Sequence, residues 1–334
     1  MSNLSLFHEK LICNKAQEFR TLFPDSDLIL SLFNGQKWTR YEFISGNLKA
    51  NIQESIFDLA SLTKVFIATI TLKLIKYQKL KLNSLVHSVV YTLHDFKHLE
   101  LVKLLNHSSH LDLIQKFDTT KAYSKEEFEN IIFSPNNLQY KRLLTKFLYC
   151  DLNYLYLGKI LETISNTTLD ELILEFNQEF GFNLNYNPLL KNIKDDLLVP
   201  TSKTIQAGNV NDFKSCTLGG ITGHAGLFGT IDDLEKCANN WIYNNWHFSS
   251  ELYNQAFDFD TTHPPDKEIF GLVWRLGGYC TLPNHSGFTG PTMVLNPAQE
   301  ISLVHLNNYT YSKVDNGREK FKKWNHEVCS LIPV

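Results

Sequence analysis

The chain has no apolar run approaching the roughly 20 residues that a helix needs to cross a bilayer, which argues against a transmembrane helix. Its six cysteines, Cys13, Cys150, Cys216, Cys237, Cys280 and Cys329, are widely spaced and form no Cys-x-x-Cys pair. Such spacing fits free buried thiols better than a disulfide or zinc framework. Twelve histidines are scattered without ligand-like spacing. A large charge of one sign is also missing: the formal net charge is -3 in 334 residues, so there is no electrostatic case for nucleic acid or an anionic membrane. The sequence shows no repeats, low-complexity tracts or long charge runs. Its first ten residues carry neither the basic n-region nor the apolar h-region of a secretory signal. With Met1 as the native start, the expected location is the cytoplasm; a removed leader would make it the periplasm.

What is present is the composition of an ordinary globular protein. At 43% hydrophobic content it can bury a full core, and its length suggests roughly two domains or subdomains. Residues 27–33 and 36–43 around Asn34-Gly35 read as a β-hairpin, because Asn-Gly supplies the positive φ of a type I′ turn. Residues 270–276, 292–295 and 301–306 are strand-like, and an amphipathic helix is expected over about 318–331. In the middle, Ser124 to Glu127 is a capping box, and 151–164 and 169–180 carry helical periodicity. Residues 188–200 and 201–220 look like an extended return connection. The predicted fold is α/β (α+β), with an antiparallel sheet flanked by helices and built from both termini, residues 1–92 and 205–334. A mainly helical subdomain, 93–204, is inserted, and the active site is expected in the cleft between.

The chain's one Ser-x-x-Lys is Ser61-Leu62-Thr63-Lys64. An i, i+3 spacing puts hydroxyl and amine on one helix face, which makes Ser61 a candidate nucleophile. Such a pair alone is more often a solvated helix face. Here the apolar residues that follow, from Val65 through Ile75, would bury the helix and hold the pair rigidly. Two further islands stand out, Tyr149-Cys150-Asp151 and His285-Ser286-Gly287-Phe288-Thr289-Gly290. Taken alone, Tyr149 reads as a core aromatic with a satisfied hydroxyl, His285 as a structural polar residue and Cys150 as an inert buried thiol. His224 reads as fixing a turn, and Thr230 with Asp233 as a capping box.

With these three elements in this order, the chain resembles the serine β-lactamase and penicillin-binding protein superfamily, closest to its class C β-lactamase-like and esterase branch. The resemblance covers nearly the whole chain. Leu104-Leu105-Asn106-His107-Ser108-Ser109 is similar to the family's Leu-Leu-x-His-Thr-Ser loop. The stretch from Leu218 to Thr230 is similar to a Gly-Gly-x-x-Gly-His-Ala-Gly-Leu-Phe segment of one group. The resemblance implies that Ser61 attacks an ester or amide carbonyl and forms an acyl-enzyme that water hydrolyses. It implies Lys64 and Tyr149 as the proton-handling pair, each needing a lowered pKa. It implies an oxyanion hole from the N–H groups of Ser61 and Phe288, a cleft lined by Asp151, His285, Ser286 and Gly287, and no metal or organic cofactor.

Three departures shape the expected substrate. The third motif is usually Lys-Thr-Gly, and His285, mostly neutral at pH 7, loses most of a positive charge that a substrate carboxylate would meet. The second motif is usually Tyr-x-Asn, and the carboxylate of Asp151 can pair with Lys64 but cannot donate to a substrate carbonyl. Ser109-His110 stands where the family often has Ser-Gly. The first two weigh against efficient β-lactam hydrolysis and are tolerable for a neutral ester. The sequence therefore points first to a carboxylesterase on small esters. A D-Ala-D-Ala carboxypeptidase or muropeptide-processing peptidase comes second, and a catalytically degenerate binding protein third. The expected partner is a small-molecule ester or peptide; the oligomeric state stays open.

Overall fold

The computed structural model describes residues 6–46, 51–90, 93, 95–141, 146–259, 268–277 and 280–333. The proposed boundary residue 92 lies outside them. Every residue of β1 (Leu28–Phe33) is buried, which explains why the strand reads apolar without alternation: both its faces are covered. Leu28, Leu30 and Leu32 pack with Phe19 of α1 (Leu6–Leu22) and with Phe321 and Trp324 of α10 (Gly317–Cys329). Ile29 and Phe33 join the other cluster, with Leu234 and Trp241 of α8 (Ile231–Ile242).

On its two edges β1 pairs with β2 (Trp38–Phe43) and with β12 (Ile301–Asn307). The sheet continues through β11 (Thr292–Asn296), β10 (Cys280–Ser286), β9 (Arg275–Gly277) and β8 (Ile269–Phe270). All neighbours are antiparallel, so both ends of the chain build one seven-stranded antiparallel sheet flanked by helices.

The hairpin forms with a turn one residue later than expected. Phe33 pairs with Trp38, and Asn34 N–H donates to Lys37 O, so Gly35 and Gln36 sit at the centre. Gly35 carries the positive φ of 85°, and the Asn34 carboxamide oxygen instead accepts from the N–H groups of Gln36 and Lys37. The expected strand 270–276 splits into β8 and β9. Gly271 N–H donates to Trp274 O, and a side chain at Gly271 would stand 2.6 Å from Ala256 O, so the backbone turns there. α1 has no counterpart in the sequence reading.

Between the sheet's two contributions lie α3 (Leu101–Leu105), α4 (Lys125–Phe133), α5 (Asp151–Ser165) and α6 (Leu169–Phe180), with a small hairpin of β4 (Leu111–Leu113) and β5 (Leu138–Tyr140). The capping boxes at Ser124 and Thr230 close with both hydrogen bonds in place. Residues 188–220 return with two short 3-10 turns and α7 (Phe213–Thr217). A three-stranded sheet then places β7 (Leu227–Gly229) between β3 (Phe57–Asp58) and β6 (Asn185–Tyr186). Among the described residues, α9 (Ser250–Ala256) is the last helix before the sheet resumes. α2 (Thr63–Lys76) is buried on every side through Leu72, which fixes the pair at its start. Among the described residues no helix is long and apolar enough to cross a membrane.

Candidate active site

The turn that presents Ser61 is built by Asp58. Its Oδ1 accepts the Ala60 N–H at 2.8 Å and its Oδ2 the Asn211 N–H at 2.8 Å. Ala60 is held at φ 45°, a left-handed conformation that costs a non-glycine residue energy and that its surroundings must enforce. Burial pushes the Asp58 carboxyl up to about 6 despite the two backbone donors. The Asp58 carbonyl accepts from the Thr289 hydroxyl at 2.8 Å, which ties the end of the sheet to the same turn. Gly287 backs onto that turn, where a Cβ would stand 2.5 Å from Leu59 O, so only glycine fits. The segment His285-Ser286-Gly287-Phe288 is thereby laid beside Ser61, with the Phe288 ring half exposed.

Ser61 is part-exposed, and Lys64, one helical turn on, is fully buried with its Nζ donating to Ser61 Oγ at 3.0 Å. The same Nζ donates to His224 O at 3.0 Å, lies 2.9 Å from Asp151 Oδ1 and is hydrogen-bonded to Tyr149. Burial alone would lower the lysine, but Asp151 and Tyr149 outweigh it, and Lys64 is raised above its ordinary value. This corrects the expectation of a lowered lysine: Lys64 stands in the site as an ammonium and a hydrogen-bond donor.

Beyond Lys64 the charges alternate. Burial would raise the Asp151 carboxyl, yet Lys64, His224 and Lys214 hold it well below the usual carboxylate range. Lys214 Nζ lies 3.0 Å from Asp151 Oδ2 and 3.3 Å from Asp212 Oδ2. Asp212 Oδ1 lies 2.8 Å from His224 Nε2 and also accepts the Ser215 N–H, capping α7. A ring closes in this way: Lys64, Asp151, Lys214, Asp212, the His224 imidazole, and back through the His224 carbonyl to Lys64. His224 does fix its turn, with Thr222 Oγ1 3.0 Å from its Nδ1, but its carbonyl also belongs to the site. Asp151, Asp212 and His224 offer three ligand atoms within 4.8 Å of one another. The cation that serves the two carboxylates is the Lys214 ammonium.

The loop of residues 104–109 positions Tyr149. His107 is buried and pushed down to about 3, chiefly by burial and then by Lys64, so it is neutral and its Nδ1 accepts the Cys150 N–H at 3.2 Å. Its ring lies 4.6 Å from the Tyr149 ring. Ser109 Oγ bonds Asn153 Oδ1 on α5 at 2.5 Å. His110, where the family often has glycine, takes φ 57°, a left-handed conformation that is costly for a histidine. Burial raises the Cys150 thiol to about 11, as suits an inert group.

On the facing side, the His285 ring lies 6.3 Å from Tyr149. Burial, then Arg275, Lys64 and His107, hold His285 well below its ordinary value, so it carries no charge near neutral pH. The charge comes from Arg275 on β9, which the sequence reading missed. Its Nη2 donates to Ser286 Oγ at 2.6 Å, its Nε to Asn284 Oδ1 at 3.1 Å and its Nη1 to Glu268 Oε1 at 2.8 Å. An arginine inside an otherwise apolar strand run was the available signal, since a buried guanidinium has to be paired. Lys214, also missed, offered none beyond standing two residues after a helix-capping Asp212. Ser61, Lys64, Tyr149 and Asp151 thus form one connected group, and His285, Ser286, Gly287 and Phe288 line the opposite side.

A family model described as Beta-lactamase matches residues 32–324. A relative from Escherichia coli (strain K12), named "Putative D-alanyl-D-alanine carboxypeptidase", is 24% identical over 311 residues, spanning 78% of this chain and 70% of the relative. The octameric penicillin-binding protein homologue from Pyrococcus abyssi superposes with a TM-score of 0.67 at 19% identity, over 90% of this chain and 73% of its own. EstCE1, described as a hydrolase with promiscuous acyltransferase activity, gives a TM-score of 0.69 at 16% identity, over 96% and 98%. Both structural likenesses speak to the fold. The family match runs from the first strand of the sheet past all three motifs, and the chain belongs to the Beta-lactamase family.

Proposed function

We propose that this serine hydrolase acts by acyl transfer through Ser61 on short peptides that end in a free carboxylate, as a D-alanyl-D-alanine carboxypeptidase does. The observation that carries the substrate class is the Arg275 guanidinium on Ser286 Oγ, which returns to the sheet edge the positive charge that His285 does not supply. The named activity of the Escherichia coli relative supports the same order. Ser61 Oγ attacks the carbonyl carbon of the scissile amide while Tyr149, acting as a phenolate beside the Lys64 ammonium, takes its proton and passes it to the departing nitrogen. The C–N bond breaks, D-alanine leaves, and an ester remains on Ser61. Water then adds to that ester, giving its proton to Tyr149, and the acid is released as Ser61 is reprotonated. Lys64, as an ammonium, holds Ser61 Oγ and the Tyr149 oxygen in place, and the N–H groups of Ser61 and Phe288 would receive the oxyanion. Asp151 keeps Lys64 charged.

A second reading, hydrolysis of small neutral esters, is favoured by the Arg275 contact with Glu268, which absorbs part of the guanidinium's charge. The two separate by assay of D-alanine release from N-acetyl-D-alanyl-D-alanine against p-nitrophenyl acetate turnover, each with Ser61→Ala in parallel. Ser61-dependent D-alanine release supports the first reading. Ester turnover without peptide turnover promotes the second, and activity that survives Ser61→Ala removes both.

A further inference from the structure

The second motif of this family usually ends in an amide, which offers one oxygen to the lysine and one N–H donor to the substrate. Asp151 in that place has two acceptors and no donor. Its Oδ1 takes the amide oxygen's role, 2.9 Å from Lys64 Nζ. Its Oδ2 stands where the amide nitrogen would be, and 3.0 Å from it is Lys214 Nζ. An ammonium has three N–H bonds. Two of them serve Asp151 Oδ2 and Asp212 Oδ2, and among the described residues the third has no partner. The Lys214 side chain is 21% exposed beside an Asp151 that is 26% exposed, so this corner is open to solvent while Lys64 behind it is closed. Asp212 is fixed in turn by His224 and by the N–H of Ser215, so the donor is held on both sides.

We propose that Lys214 is a specificity-determining residue: its free N–H replaces the donor missing from Asp151 and binds the amide carbonyl on the acyl side of the substrate. The preferred acyl group is then an N-acylated amino acid rather than a plain alkanoate. A charged donor strengthens such a bond, and pairing with Asp151 keeps the lysine from adding net charge to the corner. This proposal rests on the Ser61 acyl-transfer reading but not on the choice between ester and peptide.

The test uses two esters that share a leaving group, N-acetyl-D-alanine p-nitrophenyl ester and p-nitrophenyl propanoate, which differ in the acyl-side amide. The expected result is that Lys214→Met lowers the ratio of their kcat/KM values about 10- to 100-fold. The double variant Asp151→Asn with Lys214→Met, which restores an amide donor, recovers the ratio. Should Lys214→Met fail to fold, Lys214→Arg keeps both ion pairs and displaces the donor, and the ratio again falls. A ratio unchanged in Lys214→Met or Lys214→Arg, with turnover still dependent on Ser61, overturns the proposal, as does an equal loss on both esters. Turnover that persists in Ser61→Ala overturns the underlying reading and this one with it.

Discussion

The two walls that face each other across Ser61 are built on different electrical plans. On the helix wall, Lys64, Asp151, Lys214 and Asp212 alternate in sign, each within 3.3 Å of the next. On the sheet wall, a neutral His285 sits beside the Arg275 guanidinium, whose contacts include the Ser286 hydroxyl, the Asn284 amide and the Glu268 carboxylate. Alternation suits chemistry, because compensated charges hold atoms in place without creating a field that penalises the developing oxyanion. A guanidinium held at the end of the sheet suits recognition of a substrate anion. Damage to the Lys64 end of the helix wall should therefore cost rate on all substrates, whereas damage to the sheet wall should cost discrimination on the leaving-group side, as damage to Lys214 should on the acyl side.

The largest effect is expected from Lys64→Met, which leaves Asp151 Oδ1 without its buried partner and Ser61 Oγ without its donor. Turnover of peptide and ester should fall together, by about 100- to 10,000-fold in kcat; steady-state kinetics showing a loss confined to one substrate would erase the distinction between the walls. Next comes Arg275→Met. The ratio of kcat/KM for N-acetyl-D-alanyl-D-alanine to that for p-nitrophenyl acetate should drop about 10- to 100-fold, and a ratio that holds would assign Arg275 to packing alone.

His285→Gln sharpens the contrast through pH. The folded imidazole is held well below 6.5, so it stays neutral while the unfolded chain takes up a proton near that value. Its contribution to stability is present above about pH 6.5 and is lost as pH falls below it. Urea denaturation from about pH 7 to about pH 5 should show a shallower acid loss in His285→Gln, and the pH profile of kcat/KM should keep its wild-type shape. A profile that changes shape would mean that His285 titrates in the working range. The smallest effect is expected from Thr289→Val, which removes the bond to the Asp58 carbonyl that joins the two walls. Thermal unfolding should reveal a loss of about 1 kcal/mol, with no loss at all meaning that the walls are joined by packing only.

The sequence made the helix wall partly legible because its first pair is local. Ser61 and Lys64 meet through helical spacing, and the buried run that follows them is visible as apolar residues. Asp151 as a partner for Lys64 was readable from motif order. Lys214 was not, since its contact with Asp151 joins two helices distant in sequence and nothing local marks it. Arg275 escaped for a related reason: it meets Ser286 across β9 and β10, and the run that holds it was read as one strand rather than a hairpin turning at Gly271. The same limit shifted the Asn34-Gly35 turn by one residue, where a carboxamide bonding its own backbone competed with the expected geometry. Most of the sheet's strands were legible from apolar runs at both ends; β10 was not, because Thr281, Pro283, Asn284 and His285 break its apolar run, and strand order was not, because register is set by packing against α1, α8 and α10.

The most direct test of Ser61 acyl transfer is intact-protein mass spectrometry after rapid quenching with N-acetyl-D-alanine p-nitrophenyl ester. The predicted result is one N-acetyl-alanyl adduct that maps to the peptide containing Ser61, decays as product appears and is missing in Ser61→Ala. An adduct on another residue, or turnover in which Ser61→Ala matches the wild type, would contradict it.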